Sequence, residues 1–183
     1  MTVLTVAKKK YTYDDYLKTP DDERYELIEG ELMMTPAPKT EHQRISRKLE
    51  FRMVKFVEDN DLGEVFYAPC DVYMDKENTV QPDILFVSKE RLDIIGEDNI
   101  KGAPDLVVEI ISESTAYRDT IQKKMLYARF GVKEYWMAAP REKMIEVYFL
   151  EEKGYRLVKT CFYNDTLESQ ILKGFKVELK EIF

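Results

Sequence analysis

A period of three to four residues marks the longest predicted helix. Apolar side chains recur at that spacing between residues 40 and 58, at Ile45, Leu49, Met53 and Phe56. Such spacing places them on one face of an amphipathic helix, and we expect that face to pack on a core.

Two further helices are predicted from local signals. Ser114 and Thr115 are suited to cap a helix that runs to about Phe130, and Gly131 is suited to end it. Near the N-terminus, the segment YDDYLKT has acidic residues in its first turn and predicts a short helix.

The remaining apolar segments predict strands. RYELI and ELMMT flank a hairpin turn at Glu29 and Gly30, and further strands are predicted in EVFYAPCDVYM, TVQPDILFV, LVVEIIS, EYWMAA, MIEVYFL and YRLVKTCFY. The last three predict an antiparallel meander. The order of elements predicts an α/β or α+β fold with helices on the faces of a mixed sheet. We expect a tail with a short helix in residues 1–20 and one domain in residues 21–183.

The composition is typical of a globular chain. Of 183 residues, 44% are apolar and 34% charged, and no stretch approaches the roughly 20 apolar residues of a membrane span. The N-terminal basic cluster follows a short apolar piece, the reverse of a secretory signal, so we expect a cytoplasmic protein. Cys70 and Cys161 lack the spacing of a zinc site and are expected to be buried thiols. The net charge of −7 confines any nucleic-acid contact to a local surface.

Three charged residues stand where the pattern requires apolar ones, and two of them are acids. Glu109 interrupts the apolar run LVVEIIS, and an ionised carboxylate buried there needs a partner. Asp83 follows Pro82 at the point where VQPDILFV becomes fully apolar, so we expect its carboxylate at the edge of the core. The two strands are expected to be neighbours in one sheet.

Lys123 is the third of these charged residues. At about 100° per residue, Leu126, Tyr127 and Phe130 lie within about 60° of it, so the lysine occupies the centre of the buried stripe of its helix. We therefore expect its ammonium group to meet Glu109.

Two carboxylates and an ammonium group in one place suit a hard cation. Mg²⁺ keeps several waters and takes one or two protein carboxylates, which matches Asp83 and Glu109. Lys123 could orient or help to deprotonate an attacking water and offset charge that develops on phosphorus, as phosphodiester hydrolysis requires. Auxiliary candidates are His42, on the inward stripe at the first turn of the long helix, and Glu26, on a short strand.

A local basic surface is predicted on the outer side of the long helix. It comprises Arg44, Arg47, Lys48 and Lys55, with Lys39 and Arg52 near its flanks. Such a surface can hold the backbone of a nucleic acid, and it can equally be an ordinary solvated helix face.

These residues resemble the PD-(D/E)XK superfamily of metal-dependent nucleases. Pro82 and Asp83 match the first half of its pattern and Glu109 the second, but Ile111 stands where that pattern has lysine. The chain is more similar to a bacterial family of predicted restriction endonucleases in which the lysine lies on the next helix. The likeness covers most of residues 24–148, through RYELIEGEL, a histidine at a helix start, QPDILFV, PDLVVEIISEST, KKMLYARFGV and GVKEYW.

The resemblance implies a restriction-endonuclease-like fold, Mg²⁺ or Mn²⁺ as cofactor, DNA as substrate, and Asp83, Glu109 and Lys123 as the active site. Such nucleases often act in pairs because duplex cleavage needs two sites. We therefore expect a homodimer, and the aromatic YFL and CFY strands could form its contact.

Each of these residues also has an ordinary structural explanation. Glu109 and Lys123 could form a buried salt bridge, and Asp83 could be a hydrogen-bond acceptor at a strand end. His42 could be a half-buried histidine with satisfied nitrogen atoms, and Glu26 a surface residue.

We predict a metal-dependent DNA endonuclease, because a lone salt bridge would explain only two of the three misplaced charges. The alternative is a catalytically silent nuclease-fold module that binds DNA or protein. Four aromatic residues are expected in the core rather than in base stacking: Tyr117, Tyr127, Tyr135 and Trp136.

Overall fold

The computed structural model describes residues 9–20, 22–112 and 117–183. The described strands are β1 (Tyr25–Ile28), β2 (Glu31–Met34), β3 (Gly63–Tyr67), β4 (Val72–Asp75), β5 (Asn78–Val80), β6 (Ile84–Ser88), β7 (Ile100–Lys101), β8 (Leu106–Ile110), β9 (Glu134–Ala139), β10 (Met144–Glu151), β11 (Gly154–Phe162), β12 (Thr166–Glu168) and β13 (Lys176–Glu178). The described helices are α1 (Tyr13–Tyr16), α2 (Thr40–Asp59) and α3 (Lys124–Phe130), with a π-helical segment at Arg118–Lys123 and 3₁₀ segments at Lys89–Ile94 and Leu179–Glu181.

The main sheet contains β8, which carries Glu109, and β6, which begins directly after Asp83. Within the described residues it has six strands in the order β11-β10-β9-β8-β6-β3, and its β8/β9 pair is parallel while the other pairs are antiparallel. The predicted meander is confirmed as β9, β10 and β11. The predicted pairing of the two acid-bearing strands is also confirmed, because β6 and β8 are neighbours with Leu85 opposite Val107.

A smaller sheet follows the order β2-β1-β5-β4-β7 among the described strands. Its hairpin of β1 and β2 turns at Glu29 and Gly30, as predicted. Their φ angles are 53° and 79°, and a two-residue hairpin turn of this type needs positive φ at both positions.

Two predicted strands are each divided between the two sheets. EVFYAPCDVYM forms β3 in the main sheet and β4 in the small one, and TVQPDILFV forms β5 in the small sheet and β6 in the main one. Pro69 and Pro82 lie at the breaks. A proline has no N–H to donate to a strand ladder, so each strand ends there and the chain can change sheets.

Helix α2 covers one face of the main sheet. The predicted helix is confirmed, and its buried residues are Ile45, Leu49, Met53 and Val57. They pack in one cluster with main-sheet residues that include Trp136. Each such side chain contributes roughly 1.5–3 kcal/mol when it is fully buried. Helix α3 and the small sheet cover the other face, so the predicted mixed sheet with helices on its faces is confirmed.

The helix that carries Lys123 differs from a regular α-helix. Its predicted cap at Ser114 and Thr115 lies outside the described residues. A π-helical segment runs directly into α3, which ends as predicted at Gly131 with a φ of 89°. In the described part of the chain, no helix is both long and apolar enough to span a membrane.

Two expectations about burial are corrected by the fold. Cys161 is buried, but Cys70 is partly exposed. Tyr127, Tyr135 and Trp136 lie in the core as predicted, whereas Tyr117 is 67% exposed. It lies just before the π-helical segment, where regular helical spacing no longer predicts which side faces inward.

Candidate active site

A pocket of about 710 Å³ opens where the first turns of α2 meet the strand ends of the two sheets. Residues from both sheets, α2 and the π-helical segment line it. They include all five candidates named from the sequence, Glu26, His42, Asp83, Glu109 and Lys123. The tertiary structure thus brings these candidates to one concave surface.

Lys123 lies at the base of this pocket between two carboxylates. Its Nζ is 2.8 Å from Oε1 of Glu109 and 2.7 Å from Oε1 of Glu26. The predicted contact with Glu109 is confirmed. The surface position considered for Glu26 is wrong, because that side chain is only 2% exposed. Two buried carboxylates share one ammonium group, which offsets much of the cost of burying them.

Arg118 and the backbone of Gln81 also hold Glu26. Arg118 Nη1 is 3.4 Å from Oε2 of Glu26, and the Gln81 backbone N–H donates to Oε1 at 2.9 Å. Regular helical geometry would put Arg118 about 140° away from Lys123, because five residues turn the helix by about 500°. In the π-helical segment residues five apart are linked, so both side chains reach the same glutamate.

The hydroxyl of Tyr127 contributes a further contact to Glu109. It donates to Oε1, the oxygen that Lys123 also contacts, over 2.5 Å. Burial, followed by the charge of Glu109, raises the pKa of Tyr127 well above its ordinary value. The phenol therefore remains a protonated donor and fixes the orientation of the carboxylate. The sequence indicated only that Tyr127 would be buried.

Asp83 lies immediately before β6 at the edge of the core, as predicted. Its Oδ2 accepts the backbone N–H of Ile110 at 2.7 Å and lies 3.1 Å from Nε2 of His42. Ile110 follows Glu109 on β8, so this bond holds Asp83 next to the strand that carries Glu109, and both acids line the pocket. Among the described residues, Oδ1 of Asp83 has no hydrogen-bond partner.

His42 is half-buried, and only one of its two nitrogen atoms has a partner among the described residues. Nε2 contacts Asp83, whereas Nδ1 is buried and has no hydrogen-bond partner in the described part of the chain. A neutral imidazole with its proton on Nε2 donates to Asp83 and leaves Nδ1 as an unmet acceptor. Among the described residues, the alternative of a half-buried histidine with satisfied nitrogen atoms therefore accounts for Nε2 alone.

The donor atoms of the pocket fit a small, hard cation. Asp83 and Glu109 offer carboxylate oxygens on neighbouring strands, and Asp83 has an oxygen without a described partner. The described residues contain no group of three or more His, Cys, Asp or Glu side chains arranged to hold a metal. A site with two carboxylates matches Mg²⁺, which keeps water in its remaining positions, better than zinc, which takes three or four protein ligands.

The predicted basic surface divides into two parts. Arg44 and Arg47 line the pocket, and neither forms an ion pair with a described residue. Lys48 instead donates to two backbone carbonyl oxygens at the C-terminal end, at 3.0 and 3.2 Å. Lys55 lies outside the pocket lining and pairs with Asp59 one turn along the helix, at 2.7 Å.

A family model decides where this chain belongs. The model of Uma2, whose description is "Putative restriction endonuclease", matches residues 12–180. The chain is a member of the Uma2 family. The resemblance found in the sequence is thereby confirmed. No curated protein matches the chain.

A solved structure independently supports the fold of this Uma2 chain. The chain is similar to a crystal structure from Anabaena variabilis, described as a putative nuclease belonging to DUF820, with a TM-score of 0.79 and 19% sequence identity. The match covers 94% of this chain and 97% of that chain. The predicted restriction-endonuclease-like fold is therefore confirmed.

Proposed function

We propose that this Uma2 protein is a metal-dependent endonuclease that hydrolyses phosphodiester bonds in DNA. The observation that carries the proposal is the convergence of Asp83, Glu109 and Lys123 on one pocket, with the lysine bonded to two buried carboxylates. Membership in a family whose description is "Putative restriction endonuclease" supports the same activity.

Asp83 and Glu109 are the residues that would hold Mg²⁺ or Mn²⁺. When bound, such an ion supplies Lewis acidity to the scissile phosphate and lowers the pKa of water. At the base of the pocket Lys123 pairs with Glu26 and Glu109, and Arg118 pairs with Glu26, whereas Asp83 has no lysine or arginine partner among the described residues. A carboxylate that no such cation neutralises favours binding of a divalent ion.

Lys123 acts on the water and on the phosphate. Its ammonium group donates hydrogen bonds, so it orients an attacking water and offsets the charge that develops on the phosphate oxygens. Glu26 is a positioning residue, because it contacts the ammonium group that Glu109 also contacts and is itself held by Arg118. Arg44 and Arg47 contact the phosphate backbone at the mouth of the pocket.

A cleavage assay tests this function. The protein is incubated with supercoiled plasmid and with linear DNA in Mg²⁺, in Mn²⁺ and in chelator. We expect nicking or cutting that requires metal and that Lys123→Gln lowers at least about 100-fold. The matched control is Lys124→Gln, because the neighbouring lysine lies over the ring of Tyr148, away from the pocket.

Cleavage activity that survives in Lys123→Gln would contradict the proposed active site. Cleavage activity in chelator would contradict the proposed metal dependence. Circular dichroism of each variant establishes that it is folded. Loss of cleavage in Lys124→Gln to the same extent would mean that the helix, rather than the pocket lysine, is responsible.

A catalytically silent module is the second candidate, and one observation favours it. Oε1 of Glu109 already accepts from both Lys123 and Tyr127, as in a closed structural cluster. Titration calorimetry with Mn²⁺ separates the two candidates. Binding that Asp83→Asn weakens supports the enzyme, whereas absence of binding, with DNA affinity that falls as salt rises, supports the module.

The predicted homodimer is a further part of the proposal. Strand β11 forms one edge of the main sheet, and Phe162 at its end is 57% exposed. Edge strands with exposed apolar residues are suited to pairing between copies. Sedimentation velocity over a range of concentrations tests this, and Phe162→Glu should shift the protein towards the monomer.

A further inference from the structure

Tyr67 is an exposed aromatic residue beside the candidate active site. It ends β3, the edge strand of the main sheet, and 55% of the residue is exposed. It lies opposite Ile84, and the next backbone N–H, of Ala68, donates to the carbonyl oxygen of Asp83 at 3.1 Å. Tyr67 is therefore within two strand positions of Asp83, the proposed metal ligand.

The Tyr67 side chain faces the pocket and has no partner in the described part of the protein. Val65, two residues earlier on the strand, packs against the core on the α2 side, so Tyr67 points to that same side. It lines the pocket and makes no hydrogen bond or ring contact with a described residue. An aromatic ring exposed in this way offers an open stacking face.

The start of α2 provides the other wall of the pocket. Arg44 and Arg47 are exposed there, are three residues apart and so are neighbours on the helix surface. Neither is neutralised by an ion pair with a described residue. The pocket thus presents an open aromatic face on the strand side, two guanidinium groups without a described ion-pair partner on the helix side and the acid cluster at its base.

The geometry points to an unpaired nucleic-acid strand as the substrate of this site, with a base stacked on Tyr67 and the adjoining phosphates held by Arg44 and Arg47. This inference rests on the proposed nuclease function and names its substrate class. A base within a duplex is paired and stacked on its neighbours, so it cannot also lie on a tyrosine without leaving the helix. Stacking on aromatic side chains beside a basic groove is the usual way to bind single strands.

The size of the pocket favours the same substrate. Its volume of about 710 Å³ falls within the range of small-ligand sites, so its interior admits roughly one or two nucleotides. A single strand can pass a base into such a pocket and leave its phosphodiester near Asp83. A regular duplex would present its backbone at the rim only.

Binding of labelled oligonucleotides tests the inference without any cleavage. Fluorescence anisotropy is measured in chelator, at one fixed ionic strength, with an unstructured single strand and with a hairpin duplex of the same composition. We expect the single strand to bind at least about fivefold more tightly, and Tyr67→Ala to weaken its binding at least about fivefold. Tyr67→Phe keeps the ring and should bind like the wild type.

Tyr163 supplies the matched control. It is also an exposed tyrosine, at 40%, but it lies outside the pocket lining. Tyr163→Ala should leave both affinities unchanged. Equal or tighter binding of the duplex, no effect of Tyr67→Ala, or no binding of either oligonucleotide would each overturn the inference. DNA and RNA single strands are compared in parallel to identify the sugar that the site accepts.

Failure of the inference is distinguishable from failure of the nuclease function. Single-strand binding that depends on Tyr67, with no cleavage of any substrate in Mg²⁺ or Mn²⁺, would overturn the nuclease and retain the binding site. Cleavage of duplex plasmid that depends on Lys123 but not on Tyr67 would retain the nuclease and overturn the single-strand substrate.

Discussion

Two Pro-Asp pairs in this chain have the same local sequence context and opposite environments. Pro82-Asp83 leads into β6 and Pro104-Asp105 leads into β8, and both strands are buried. Because β6 and β8 are antiparallel, their first residues lie at opposite ends of the pair. Asp83 lines the pocket, whereas Asp105 lies at the opposite end of the β6/β8 pair and contacts Lys133 and Arg91.

Asp105 is fully buried and saturated with partners. It accepts the backbone N–H of Ser88 at 2.9 Å and pairs with Lys133 at 2.7 Å and Arg91 at 3.0 Å. Burial alone would raise the pKa of Asp105, but the contacts with Lys133, Ser88 and Arg91 outweigh burial and lower it. Such a carboxylate stabilises the fold and has no oxygen to offer to a ligand.

The contrast shows how a structural acid differs from a candidate ligand. Asp83 has one engaged oxygen, one oxygen without a described partner and a position on a pocket. The cations near the two aspartates also differ. Arg91 and Lys133 form ion pairs with Asp105, whereas Arg44 and Arg47, which line the pocket with Asp83, have no described ion-pair partner. Four substitutions or conditions test this contrast.

Asp83→Asn is expected to have the largest effect of the four tests. It should lower the cleavage rate and leave the stability of the fold nearly unchanged. Losing a metal-holding carboxylate should lower the cleavage rate at least about 1000-fold, or about 4 kcal/mol. The amide oxygen can still accept the backbone N–H of Ile110, so the free energy of unfolding should change by about 1 kcal/mol or less. Plasmid cleavage and urea unfolding measure the two quantities. A rate within tenfold of the wild type would contradict the assignment.

Asp105→Asn is expected to have the reverse effect. The substitution removes a buried charge from two ion pairs, but Lys133 and Arg91 are 53% and 32% exposed and regain contact with water, so the free energy of unfolding should fall by about 2 kcal/mol, while cleavage per folded molecule stays unchanged. Urea unfolding measures the loss. Asp61→Asn is the control, since Asp61 pairs with Lys89 on the surface and its φ of 51° is one that asparagine tolerates. An Asp105→Asn protein as stable as the wild type would show that the ion pairs of Asp105 with Arg91 and Lys133 contribute little to the stability of the fold.

Arg44 and Arg47, which have no ion-pair partner in the described part of the chain, should give a smaller effect that depends on salt. Arg44→Gln and Arg47→Gln should each weaken DNA binding by a few-fold and reduce the slope of log affinity against log salt by about 1. Lys55→Gln should change neither, because Lys55 is already paired with Asp59. Anisotropy titrations at several salt concentrations measure the slope. Equal salt-dependence slopes for the three variants would show that the pocket arginines contact DNA phosphates no more than Lys55 does.

The smallest expected effect is in the pH dependence of stability. Because the pKa of Asp105 is lowered in the folded state, its stabilisation is fully present above the usual aspartate pKa of about 4 and is lost as pH falls through the lowered value. The difference in unfolding free energy between the wild type and Asp105→Asn should therefore narrow below about pH 4. Urea unfolding at a series of pH values measures this difference. A difference that widens on acidification would contradict the lowered pKa of Asp105.

Much of the site could be predicted from the sequence because three charges interrupt apolar patterns. Glu109 stands out in a buried strand, Lys123 on a buried helix stripe and Asp83 at a strand start. Arg118 could not be predicted, because regular helical geometry points it away from Lys123 and only the π-helical segment brings the two together. The burial of Glu26 could not be predicted, because which face of a short hairpin points inward depends on the sheet that covers it.

By itself, the sequence determined the local structure of this protein: the long helix, the hairpin at Glu29 and Gly30, the meander and the apolar strands that carry the two acids. These features depend on residue spacing and backbone preference over a few positions. Only the tertiary structure decided which Pro-Asp pair faces the pocket and which is closed by Arg91 and Lys133. The reason is physical: whether a carboxylate is saturated depends on charged groups from distant parts of the chain, and the local sequence does not encode which of them arrive.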